Sequence, residues 1–213
     1  MSLFLILLGG DLTATPRLAA QAAGARVIAA DSGIRHAGLL GIAPELWVGD
    51  FDSATDADYA AFPDVERRTF SAAKDKTDGE LAIDIALERG ATRLLIAGAF
   101  GGPRADHAFL HLALAMRLAE RGIDVRLTSG AQEGLPLLAG EAAFDYAPGT
   151  LFSILGFTEL SGLSVSGAEW PLHQVTVPFG SSLTISNRVT ASLRIGLQTG
   201  RALLLAHPTD TRA

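Results

Sequence analysis

Near residue 135 the periodicity of the chain changes, and this change constrains the fold more than any other feature. Before it, short apolar runs alternate with helix-like stretches. Strand patterns lie at 3–8, 26–30, 45–49, 65–70, 93–98 and 124–129, with helical patterns at 16–23, 33–40, 55–61, 78–89 and 105–121 between them. Such alternation predicts a mostly parallel sheet covered by helices. Runs such as "LFLILL" carry no polar alternation, as expected of strands covered on both faces. After residue 135, strand patterns follow one another without helices: 142–147, 151–157, 163–168, 173–179, 182–189, 192–197 and 202–207. Gly, Pro, Ser and Asn punctuate them, which reads as an all-β sandwich or barrel. The expected organisation is an α/β domain over 1–135 and a β domain over 136–213, divided within "EGLPLLAG" (133–140).

Composition narrows the function classes. A net charge of −6 does not suit a nucleic-acid partner. The chain contains no cysteine, which removes disulfides and thiolate metal sites and fits a reducing compartment. The apolar run 3–8 is too short to span a bilayer and has no basic region ahead of it. A cytoplasmic protein without a membrane partner is therefore expected.

The chemistry is concentrated in loops that follow strands. Asp31 ends "RVIAAD", while Asp50 and Asp52 follow "ELWVG" in "VGDFDS". In a doubly wound sheet ligands bind beyond the carboxyl ends of the strands, where all three would lie. Residues i and i+2 of an extended segment project to one side, so Asp50 and Asp52 would face together. Two adjacent carboxylates repel, and a cation relieves them. No cationic side chain is close in sequence, so Mg2+, which takes carboxylates together with substrate phosphates, is a natural counter-ion. An exposed acidic turn explains "GDFDS" taken alone equally well.

"KDKTD" (74–78) holds the only two lysines, Lys74 and Lys76. Thr77, with Glu80 three residues on, reads as a capping box opening a helix, which accounts for Thr77 and Asp78 without any ligand. Beside Asp50, the same stretch reads as lysine charges near phosphates. "GAFGGPRADH" (98–107) is a glycine-rich turn from strand to helix. It suits phosphate, with Arg104 as a planar fork, or it is simply a tight connection. No dinucleotide fingerprint or GxxxxGK[ST] loop is present. His107 and His111 are spaced like a zinc pair but lack the glutamate and a third ligand, so zinc is not expected. The helix over 105–121 carries Phe109, Leu112, Ala113 and Met116 on one stripe, with Leu110, Leu114 and Leu118 covering much of the rest, so burial all round is expected. In the β region, Trp170 is either core or a stacking platform for a flat cationic ligand.

Taken in order, "ADSG" (30–33), "PELWVGDFDS" (44–53), "KDKTD", "GGPRADH" (101–107), "GAEWPL" (167–172) and "SN" (186–187) resemble the thiamine pyrophosphokinase family. Ser32 stands where that family usually has a second glycine, and Pro103 interrupts its glycine–glycine–arginine run. The resemblance implies transfer of pyrophosphate from ATP to the hydroxyethyl oxygen of thiamine, giving thiamine diphosphate and AMP, in a homodimer. It implies Asp31, Asp50, Asp52 and Asp78 as the Mg2+ and phosphate cluster. Lys76, Thr77, Arg104 and Asp106 would serve the nucleotide, and Trp170, Ser186 and Asn187 the thiamine side. Phosphoryl-type transfer rests on positioning and charge neutralisation, and Asp52 and Asp78 are the candidates to accept the hydroxyl proton. Two rival readings are a metal-dependent nucleotide-sugar transferase and a non-enzymatic nucleotide-binding module. Neither accounts for the ordered motifs across both domains.

Overall fold

The computed structural model describes residues 2–71 and 75–208, so the expectation for Lys74 lies outside the described residues. The chain divides into two compact units, Met1–His111 with Ile123–Gly130, and Leu112–Gly122 with Ala131–Ala213.

The first unit contains β1 (Leu3–Leu7), α1 (Pro16–Ala22), β2 (Arg26–Ala30), α2 (Ile34–Leu40), β3 (Leu46–Gly49), α3 (Asp56–Ala61), β4 (Glu66–Thr69), α4 (Asp78–Glu88), β5 (Arg93–Ala97), the start of α5 (Ala105–Glu120) and β6 (Asp124–Thr128). Each lies within one residue of the ends expected from the sequence. The strands pair in parallel in the order β6-β5-β1-β2-β3-β4. The chain therefore builds outward from β1 in one direction, then returns to add β5 and β6 on the other side. Loops leaving β1 and β5 diverge at this reversal and open a crevice at the carboxyl edge. β1 is fully buried from Phe4 through Leu7, which is why its sequence shows no alternation. Leu5, Leu7, Val27, Ala29, Ile34 and Trp47 form the core on one face. The outermost strand, β4, is exposed throughout and carries Glu66, Arg67 and Arg68, charges that suit an unpaired edge.

Helix starts follow their capping chemistry. Thr77 Oγ1 accepts from Glu80 N (3.2 Å) and Glu80 Oε2 accepts from Thr77 N (3.3 Å), the capping box read from the sequence. A second box, Thr55 with Asp58, opens α3. The burial expected all round α5 holds only over its second half. Phe109 is 64% exposed, and the buried side chains are Leu114, Ala115, Met116 and Leu118. Periodicity identifies the stripes of a helix but not how far along its length a stripe is covered.

The second unit is antiparallel: β7 (Glu133–Leu137), β8 (Gly140–Phe144), β9 (Leu151–Gly156), β10 (Leu160–Ala168), β11 (Leu172–Val177), β12 (Asn187–Leu197) and β13 (Ala202–His207). Its order is β11-β10-β12-β9-β13-β7, with β8 on β12. Phe152, Ile154, Leu163, Val165, Leu193 and Leu204 are central to its core. Two sequence expectations change here. The stretch read as the domain boundary contains β7, paired with β13 from Leu137↔Ala202 to Glu133↔Ala206. The strands expected at 182–189 and 192–197 are replaced by one, β12, which begins only at Asn187. Turn bonds Ser181 N→Pro178 O and Ile185 N→Ser182 O precede it, and Ser186 has φ 62°. Alternation through "SLTIS" matched a strand, but these residues form turns tied to β9 only at Thr184 and Ser186.

Asp58 joins α2 to α3. Its carboxylate accepts from Arg35 Nε (3.1 and 3.2 Å) and Nη2 (3.0 Å), and from Thr55 N (2.9 Å) and Thr55 Oγ1 (2.8 Å). The Arg35 hydrogen bonds lead in holding its pKa down to about 2. A depressed carboxyl pKa contributes stability that is fully present above the usual carboxylate range and is lost as pH falls through the folded value. Asp58→Ala is expected to cost about 1 kcal/mol at neutral pH, as loss of a helix cap does. Denaturant melts of the two proteins should converge as pH approaches 2; a gap independent of pH would show that the charge is not involved.

Candidate functional site

The loops after β1, β2, β3 and β5, with the start of α4, meet at the carboxyl edge of the parallel sheet. They line a cavity of about 650 Å³ that includes Gly9, Gly10, Asp31, Asp50, Lys76, Thr77, Asp78, Gly98, Gly101, Gly102, Arg104 and His111. Close backbone approach explains Gly10 of the lining and Gly33 beside it. A Cβ on Gly33, two residues after Asp31, would lie 2.2 Å from Leu7 O, and one on Gly10 would lie 2.4 Å from Gly98 O.

Asp31 opens a single 3-10 turn, Asp31–Gly33, with φ 46°. Trp47 Nε1 donates to its carbonyl (2.8 Å) and Ser53 Oγ donates to its Oδ2 (2.7 Å). Its Oδ1 is buried and has no hydrogen-bond partner among the described residues. Asp50 and Asp52 stand beside it: one ligand atom from each of the three carboxylates falls within 4.8 Å of the others.

The reason Asp50 and Asp52 meet differs from the one expected. The segment is not extended. Phe51 has φ 63°, and the chain turns so that Asp52 N donates to Asp50 Oδ1 (3.2 Å). A left-handed conformation at an aromatic residue costs of order 1–3 kcal/mol. Phe51 offsets this by packing edge-on to Trp47 (4.9 Å between centroids) and against Tyr59 (6.4 Å). The absence of a cation near this loop in sequence also does not carry into space, because Arg35 Nη2 donates to Ser53 O (2.9 Å). Its guanidinium is hydrogen-bonded to Asp58 and acts on the cluster through its attraction to the charge of Asp31.

The charge of Asp50, followed by partial burial and the charge of Asp31, pushes the Asp52 pKa up. Asp78, first residue of α4, adds to this and lines the cavity, but is not one of the three residues that share the 4.8 Å cluster. Lys76 lines the cavity and pairs with Asp84 (2.5 Å). Arg104 lines it too, and its guanidinium forks onto Asp106 (2.9 and 2.7 Å), holding that carboxyl well below the usual range. Asp106 itself is exposed and outside the cavity lining, so it orients Arg104 rather than facing the cavity. His111 Nδ1 lies 3.1 Å from Ala99 O, and burial pushes its pKa down. That matches a packed histidine at the cavity wall.

The remaining candidates belong to the second unit. Trp170 is neither in a strand nor in the core: it lies in the bend between β10 and β11 and is 56% exposed. Asn187 is buried and brackets its backbone, Oδ1 accepting from Trp170 N (3.1 Å) and Nδ2 donating to Trp170 O (2.8 Å). Ser186 N donates to Ser153 Oγ (3.0 Å).

One site segment escaped sequence reasoning, the loop Gly9–Gly10–Asp11, whose Asp11 Oδ2 accepts from Gly102 N (2.9 Å) and ties the loops after β1 and β5. Its available signal was a glycine pair directly after a strand. Among the described residues, no helix is long and apolar enough to cross a membrane.

A doubly wound sheet with carboxylates and a glycine-lined cleft at its carboxyl edge defines an α/β protein with its candidate site where such folds bind ligands. Comparison with known proteins narrows this. Residues 19–127 match the family model "Thiamin pyrophosphokinase, catalytic domain", and residues 143–204 match "Thiamin pyrophosphokinase, vitamin B1 binding domain". The chain is 31% identical over 156 residues to the thiamine pyrophosphokinase of Bacillus subtilis (strain 168), covering 71% of this chain and 72% of that one. The crystal structure of the Bacillus subtilis enzyme is similar with a TM-score of 0.84 at 26% identity, over 99% of this chain and 100% of that chain. The Geobacillus thermodenitrificans thiamin pyrophosphokinase structure gives 0.81 at 25% identity, over 99% of each chain. The chain belongs to the thiamine pyrophosphokinase family.

If the carboxylates of the cluster repel as their positions require, removing one charge relieves the fold. A raised carboxyl pKa means that ionisation costs stability as pH rises through it. In metal-free protein, Asp52→Asn should therefore melt at a higher temperature than wild type near pH 7. That advantage should shrink as pH falls through the raised Asp52 pKa and its side chain takes up a proton. An equal or lower melting temperature at neutral pH would show that the three charges do not strain the apoprotein.

Proposed function

We propose that the protein is an ATP:thiamine diphosphotransferase, transferring pyrophosphate from ATP to thiamine with release of AMP. The observation that carries this reading is the cluster of Asp31, Asp50 and Asp52 with its orphaned buried Asp31 Oδ1, set beside a glycine-lined cavity. Three hard oxygen donors with one unsatisfied, buried lone pair fit Mg2+. Asp31, Asp50 and Asp52 would hold the ion, and Asp78 adds negative charge at the same edge. When bound, the ion supplies charge neutralisation for the polyphosphate and relieves the repulsion among its ligands.

The other parts are supplied by the chain itself. Backbone N–H groups of the glycine-rich loops after β1 and β5, with Arg104 and Lys76, hold and orient the phosphates of ATP. Asp106 keeps the Arg104 fork in one orientation. The thiamine hydroxyl oxygen attacks the β-phosphorus, the bond from that phosphorus to the α,β-bridging oxygen breaks, and AMP departs with that oxygen. The hydroxyl proton passes to Asp52 or Asp78.

The first unit is the nucleotide domain and the second contributes to the thiamine site. Trp170, exposed and with its backbone pinned by Asn187, offers a flat face to the cationic thiazolium. Ser186 and Asn187 shape that side. We place the enzyme in the cytoplasm as a homodimer. The exposed apolar Phe179, Leu183 and Ile185 between β11 and β12 support a covered surface there.

Incubation with ATP, Mg2+ and thiamine, followed by separation of products, tests the assignment. AMP and thiamine diphosphate are expected in equal amounts. ADP with thiamine monophosphate, or nucleotide binding without thiamine-dependent AMP, would overturn it.

A further inference from the structure

The cluster loop is strained at Phe51 and carries two carboxylates facing a third, so some contact must hold it in place. We infer that Arg35, acting through Ser53, is a positioning residue that sets the spacing of the cluster carboxylates and hence the affinity for the divalent cation. This rests on the metal reading given above.

The geometry is a short relay. Arg35 lies in the first turn of α2, directly after the 3-10 turn that begins at Asp31. Its guanidinium binds two things at once: the Asp58 carboxylate through Nε and Nη2, and the Ser53 carbonyl through Nη2 (2.9 Å). Ser53 in turn donates from Oγ to Asp31 Oδ2 (2.7 Å). One residue therefore ties the far end of the Asp50–Ser53 loop to α2 by its carbonyl and to Asp31 by its hydroxyl. The near end is fixed by β3, where Gly49 pairs with Thr69. Beyond Ser53, Thr55 and Asp58 anchor the chain in the capping box of α3. Between these anchors the loop has two mutually repelling carboxylates and a left-handed Phe51. Without the guanidinium, repulsion by Asp31 would push the loop outward. Arg35 is half-exposed and Asp58 buried; the pair contributes to stability, and the same guanidinium fixes the Ser53 carbonyl beside the cluster. Lysine keeps the charge but cannot fork onto Asp58 while also holding the Ser53 carbonyl.

Mn2+ titrated into the nucleotide-free full-length protein, with free ion read from its EPR signal, tests this. Wild type, Arg35→Lys, Ser53→Ala and Asp52→Asn are compared, each first shown to melt cooperatively. Arg35→Lys should weaken Mn2+ binding by about tenfold, the scale seen when partners of metal ligands are removed. In turnover its apparent KM for metal should rise similarly, with kcat at saturating metal within about twofold of wild type and KM for thiamine unchanged. Ser53→Ala should weaken Mn2+ in the same direction and serves alone if Arg35→Lys does not fold. Wild-type Mn2+ affinity in both variants, or in Ser53→Ala alone in that case, overturns the inference, as does a kcat that excess metal does not restore. If wild type binds no Mn2+, or Asp52→Asn binds it as tightly as wild type, the metal reading itself fails and takes the inference with it.

Discussion

Like charges held at close range are the constraint around which the first unit is organised. Asp31, Asp50 and Asp52 come from loops after two adjacent parallel strands, and one oxygen from each lies within 4.8 Å of the others. Mutual repulsion acts against this arrangement in the free protein. Hydrogen bonds and packing oppose it: the Trp47 indole on the Asp31 carbonyl, the Ser53 hydroxyl on the Asp31 carboxylate, and Phe51 against Trp47. Strain of this kind is stored where function demands a fixed geometry and is sustained by the surrounding core. Trp47 is fully buried, so the core itself supports the site.

Parallel strand order gives the cluster its setting. Because β1 lies between β2 and β5, the glycine-rich loops after β1 and β5 border the same crevice as the acidic loops. Groups suited to phosphate and acceptors suited to a cation thus face one cavity, which would let an acidic chain take up the polyanionic co-substrate proposed above. The second unit has a different task. Its turns, not its strands, present Trp170, and a buried asparagine fixes the backbone at that point.

Much of this was legible in the chain. Continuous apolar runs marked the buried strands, the Thr77–Glu80 spacing marked the start of α4, and aspartates at strand ends marked the cluster. Other features depended on information that local patterns do not hold. The "DFD" spacing suits an extended segment and a left-handed turn alike, and only packing of Phe51 on Trp47 selects the turn. Arg35 precedes Ser53 by 18 residues and meets it only because α2 folds back beside the loop after β3. By type Trp170 suited the core and a stacking platform alike, and it is the bend after β10 that leaves it in solvent. β7 escaped notice because Gly134 and Pro136 suggest a turn, whereas pairing with β13 makes it a strand.

The central claim is that Asp31, Asp50 and Asp52 share one divalent cation. Anomalous scattering from crystals grown with Mn2+ tests it most directly. The account predicts a single peak within bonding distance of oxygens from all three side chains, Asp31 Oδ1 among them. A peak bound elsewhere, or three carboxylates turned apart with no ion between them at saturating Mn2+, would contradict it.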